Sequence, residues 1–91
     1  MTAKQVFFNG RVQGVGFRWT VKQIAKGFDV TGWVKNLADG RVELCVAGEA
    51  DEIAAFTKAI SESELRAHIK EVQEHPIAQA PRVQGFQILH D

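Results

Sequence analysis

"HIKEVQEH", residues 68–75, decides the fold. Leu65, Ile69 and Val72 carry the three- and four-residue spacing of a continuing helix into it, but the same residues fit a bulged strand equally well, and periodicity does not separate the two. The flanks are clearer. Upstream, Ile53, Phe56 and Ile60 give an amphipathic helix from about Ala50 to about Ser61. Downstream, Pro76 and Pro81 mark a loop. "RVQGFQIL", residues 82–89, then alternates Val83, Gly85, Gln87 and Leu89 with Gln84, Phe86 and Ile88, the two-residue period of a last strand.

Towards the N-terminus, "QVFFNGRV", residues 5–12, sets Val6, Phe8 and Val12 on one parity, and Gly10 interrupts where backbone must bend or be closely approached. Val21, Ile24, Ala25 and Phe28 then follow the spacing of an amphipathic helix. That helix is expected to stop near Phe28 or Asp29, where Asp29 can adopt a left-handed cap, though less readily than glycine. "TGWVKN", "LADG" and "RVELCVAG" follow, with Val42, Leu44 and Val46 sharing one face and Asp39-Gly40 signalling a hairpin. The order β-α-β-β-α-β fits an α+β, ferredoxin-like split β-α-β arrangement, two helices covering one face of an antiparallel sheet, in a single domain over residues 1–91.

Eleven basic and eleven acidic side chains cancel, so no global field draws the chain to nucleic acid or an anionic membrane, and any anion must be caught locally. The single Cys45 cannot close an intrachain disulfide. His68, His75 and His90 lack metal-ligand spacing, so no metal is expected. No apolar run reaches membrane-spanning length and the N-terminal residues lack the apolar core of a secretory signal, so a reduced, cytoplasmic setting is expected.

"NGRVQGVGFRW", residues 9–19, joins the first strand to the first helix without an acid, a histidine, a cysteine or a serine. Unpaired N–H groups at a helix start carry the positive end of its dipole, and Gly14 and Gly16 let the backbone curl into a nest of donors. Arg18 adds a planar fork able to grip two phosphate oxygens. The spacing matches neither the dinucleotide fingerprint nor the nucleotide P-loop, which needs Lys-Ser or Lys-Thr after its last glycine. A local anion site is the chemistry offered.

Two stretches, "GRVQGVGFR" (10–18) and "GWVKNLADGRVE" (32–43), resemble the signatures of the acylphosphatase family, with weaker resemblance through "AGE" (47–49) and "GFQI" (85–88). The resemblance implies hydrolysis of acyl phosphates, with inorganic phosphate as product and no cofactor. It assigns the phosphoryl group to Arg18 and the backbone amides of Gly14, Val15, Gly16, Phe17 and Arg18, and the positioning of the attacking water to Asn36. It also makes "HIKEVQEH" the fourth strand.

Three places depart from the family pattern. Asp29 stands where a glycine is frequent, "SESEL" (61–65) replaces a Gly-Pro-type turn and allows a longer second helix, and "PIAQAPRV" (76–83) is a long last connection. The chemistry needs little more than Arg18 and Asn36. A departing carboxylate, with a conjugate acid of pKa about 4, leaves without a general acid. Charge on the phosphoryl oxygens calls for electrostatic stabilisation, and the water for positioning. A phosphate oxygen of the substrate is one acceptor for the water's proton. Phe7, Trp19 and Trp33 are either exposed stacking platforms or, as isolated aromatics more often are, packing or edge residues, and Lys35 alternates away from Asn36.

Two other functions compete on the same fold. A nucleic-acid-binding module would stack bases on sheet aromatics, which the neutral charge balance opposes. A non-catalytic anion-binding regulatory domain would have the cradle alone, and it is Asn36 beside Arg18 that favours turnover. A monomer is expected.

Overall fold

The computed structural model describes residues 1–90. Strands β1 (Thr2–Gly10), β2 (Val30–Asn36), β3 (Val42–Gly48), β4 (Ile69–Ile77) and β5 (Phe86–Leu89) form one sheet in the order β4-β1-β3-β2-β5. The first four are antiparallel neighbours and make the ferredoxin-like core; β5 lies parallel to β2 and makes the sheet mixed at that edge. Helices α1 (Phe17–Ala25) and α2 (Ala50–Ser61) pack on one face.

The alternation in sequence explains that packing. Val6 and Phe8 of β1, Val34 of β2 and Val42, Leu44 and Val46 of β3 are fully buried, in one cluster with Val21 of α1 and Ile53, Phe56 and Ile60 of α2. Each large side chain so buried contributes about 1.5–3 kcal/mol. On the other face lie Gln5, Phe7, Trp33, Lys35, Glu43 and Cys45. Lys35 stands over the Trp33 ring at 5.1 Å, and the Arg41 guanidinium over Phe7 at 4.5 Å, so cations already occupy these aromatic faces. Because β3 is central, its neighbours' side chains bury Cys45 as well, and that burial pushes the thiol pKa up.

The ambiguous stretch is a strand. Ile69–Ile77 pairs with β1 alone, and a short 3₁₀ turn over Glu64–His68 leads into it. Ser63 is the reason the second helix does not lengthen. Its hydroxyl donates to the Ile60 carbonyl at 2.7 Å and accepts the Leu65 N–H at 3.1 Å, so α2 ends at Ser61 and a new turn starts. Pro76, expected in a loop, lies inside β4, where an edge position tolerates a residue without an N–H.

Two other expectations are corrected. Helix α1 ends at Ala25, and Lys26, Gly27 and Phe28 close a tighter turn with bonds to carbonyls three residues back. Asp29 is not left-handed, since no non-glycine residue described has positive φ; its N–H donates instead to Glu52 Oε1 at 2.7 Å. The last strand is also shorter than its alternation suggests, because Gly85 at φ +65° breaks it and pairing with β2 begins at Phe86.

Candidate active site

Strand β1 ends at Gly10, where the register against β4 shifts and an added Cβ would stand 2.3 Å from the His68 carbonyl oxygen. Only glycine permits that approach, and from there the chain turns over the end of the sheet. Val12 drops into the core as an anchor. Gly14 and Gly16 then adopt φ of +78° and +76°, with Val15 at negative φ between them. This alternation turns successive N–H groups towards one side, as in an anion nest. An added Cβ at either glycine meets no protein atom within 4 Å, so the requirement is conformational: an L side chain there costs about 1–2 kcal/mol.

Gly16 is the N-cap of α1, with no capping side chain and no acidic residue in the first turn. Among the described residues, the N–H groups of residues 14–18 donate to no acceptor. Gly14, Gly16, Phe17 and Arg18 of this run line a cleft of about 190 Å³ together with Asn36, whereas Val15 lies outside its lining. Phe17, 2% exposed, closes it from the core side by packing on Phe8 at 5.1 Å between ring centroids. Trp19 and His90 form part of its rim.

Arg18 is steadied by the C-terminal strand. Its Nη1 donates to the Leu89 carbonyl at 3.2 Å and lies 3.4 Å from His90 Nδ1. A guanidinium only donates, so this second contact requires the imidazole lone pair on Nδ1 and the ring proton on Nε2. The parallel β2–β5 pairing brings Leu89 opposite Lys35, next to Asn36.

Asn36 is the last residue of β2, opposite Val42, on the same parity as buried Val34 and therefore on the helix side; Lys35 points to the open face and reaches Glu43 at 3.9 Å. The following turn is held by the Leu37 N–H donating to the Arg41 carbonyl at 2.8 Å. Within it, the Arg41 N–H bonds the Asp39 carboxylate at 3.1 Å and the Arg41 Nε at 2.9 Å, holding that carboxyl below its ordinary pKa.

Sequence reasoning passed over the residue that joins the two halves. Gln13 Nε2 donates to the Leu37 carbonyl at 2.7 Å and the Arg41 carbonyl at 2.9 Å, so one amide spends both hydrogens tying the glycine loop to the turn after Asn36. Its sequence signal was slight: an uncharged polar residue one position before Gly14. His90 drew notice only as a histidine without metal-ligand spacing, because its place beside Arg18 depends on a chain separation of 72 residues.

The cleft thus gathers Arg18, the open amides and Asn36 at one end of the sheet. No group of three His, Cys, Asp or Glu side chains among the described residues is arranged to hold a metal ion, and no helix described is long and apolar enough to cross a membrane. Comparison with known proteins matches the acylphosphatase family over residues 4–88. An acylphosphatase of Lacticaseibacillus paracasei is 39% identical over 87 residues, covering 94% of each chain. One of Nitrosococcus oceani is 38% identical over 88 residues, covering 97% of this chain and 98% of the relative. The crystal structure of the Bacillus subtilis acylphosphatase superposes with a TM-score of 0.87 at 30% identity, over 98% of this chain and 99% of that one. A glycine-loop cleft on this scaffold, matched along nearly its whole length, places the chain in the acylphosphatase family.

Proposed function

We propose that residues 1–91 form a single domain that hydrolyses the carboxyl-phosphate anhydride of acyl phosphates in the cleft at the start of α1. The observation that carries this reading is the meeting, in one small cleft, of Gly14, Gly16, Phe17 and Arg18, whose amides are unengaged, with Asn36. The phosphoryl group sits on the amides and the helix dipole, with Arg18 binding two of its oxygens. Asn36 orients a water opposite the leaving oxygen. The water oxygen bonds to phosphorus, the P–O bond to the acyl group breaks, and its electron pair departs on the carboxylate. The water's proton passes to a phosphate oxygen. Because the carboxylate is a good leaving group, electrostatic stabilisation and positioning suffice, without a general acid or a metal ion.

The chain acts as a cytoplasmic monomer. Support for the monomer comes from the β4 edge, where Lys70, Glu71, Glu74 and Pro76 discourage strand addition, and the single buried Cys45, with no second cysteine to pair with, fits the cytoplasmic reading. The test is hydrolysis of benzoyl phosphate with a chelator present. Turnover should persist, fall about 10³-fold or more in Arg18→Ala, and fall about 10²-fold in Asn36→Ala. Full activity in either variant rejects the role assigned to that residue.

A further inference from the structure

Trp19 is 62% exposed, an unusual state for the largest apolar side chain, and it borders the cleft immediately beside Arg18. The other apolar walls are committed elsewhere: Val12 and Phe17 are buried at 0% and 2%, and Ile88 is packed against the core. Gly14 and Gly16 present backbone, and Arg18 and Asn36 present polar groups. An acyl group leaving the cleft therefore finds one broad apolar surface with free area, the Trp19 indole.

That surface continues. A second hollow of about 300 Å³ shares Gly16 and Trp19 with the cleft, so the two are neighbours across one wall. Val15, 38% exposed, adds apolar surface there, and Glu64 and His68 also line it. The cleft takes a phosphoryl group and the hollow is large enough for a ring.

We infer that Trp19 is a specificity-determining residue, stacking on the acyl group, and that the preferred substrates are acyl phosphates with an uncharged aromatic or bulky apolar acyl group. The inference rests on the acylphosphatase reading of the cleft. An aromatic ring against an indole gains about two- to tenfold in affinity over a methyl group that cannot stack.

The test compares benzoyl phosphate with acetyl phosphate in the wild type, Trp19→Ala and Trp19→Phe, taking the ratio of the two kcat/KM values so that intrinsic reactivity cancels. The ratio should fall about two- to tenfold in Trp19→Ala, mainly through KM for benzoyl phosphate, and be largely restored in Trp19→Phe. A ratio that does not move, or equal losses on both substrates, overturns the inference and leaves the acylphosphatase reading standing. A folded wild type that turns over neither substrate overturns both.

Discussion

The two helices begin alike and end up with opposite chemistry at their first turns. Each follows a strand and packs on the same sheet face, yet α2 supplies its own anions, with Asp51 and Glu52 in its first turn and none in the first turn of α1. The Asp51 carboxylate accepts the Glu52 N–H at 3.0 Å, and Glu52 reaches back to the Asp29 N–H. Helix α1 starts instead from Gly16, leaves its amides unengaged and places Arg18 where α2 has Asp51. A helix N-terminus is open to a ligand anion when the chain withholds its own carboxylates, and a nearby cation strengthens the site. The same dipole serves stability in one helix and binding in the other.

The contrast can be broken by giving α1 what α2 has. In Gly16→Asp a carboxylate at the N-cap competes with phosphate, and phosphate affinity, read as product inhibition, should fall about tenfold or more. The left-handed position adds about 1–2 kcal/mol of destabilisation. Undiminished phosphate inhibition would show that the open amides are not the anion site.

Gln13 offers a finer cut, because it touches position and leaves the anion donors in place. Gln13→Ala should cost about 1–2 kcal/mol in denaturant unfolding. Its kcat should drop about tenfold as the loop and the Asn36 turn drift apart, with a smaller change in phosphate inhibition. An unchanged kcat would mean that the loop and the turn hold their spacing without the Gln13 amide.

The smallest effect is expected at α2. Glu52→Gln keeps an oxygen for the Asp29 N–H but removes the charge at the helix start, lowering stability by about 0.3–1 kcal/mol with no change in phosphate inhibition. A change in phosphate inhibition comparable to that of Gly16→Asp would erase the distinction between the two helix starts.

Much of this was legible in the chain, for reasons that can be named. The start of α1 was readable because positive φ demands glycine: Gly14 and Gly16 announce a special backbone whatever surrounds them. The hairpin and both helices were readable from period and from Asp39-Gly40. The stretch 61–77 was not readable from period, because Leu65 sits in a 3₁₀ turn and Ile69 opens a strand, and together they mimic one helical stripe; the family resemblance alone made residues 68–75 the fourth strand. Only a side-chain cap at Ser63 separates them, and serine is too common in turns to signal it. The supports of the site were hidden for a different reason: Gln13 works through carbonyls 24 and 28 residues away, and Leu89 through a pairing 71 residues from Arg18. Local pattern carries no information about such long-range partners.

The most direct measurement is a titration with inorganic phosphate, following the backbone amide resonances of the folded protein by NMR. The amides of residues 14–18 should shift saturably while those of residues 50–53 at the start of α2 stay put, and the shifts should vanish in Arg18→Ala. Equal shifts at both helix starts, or saturable shifts that persist without Arg18, would contradict the claim that this chain binds its anion at the start of α1, whose first turn carries no carboxylate.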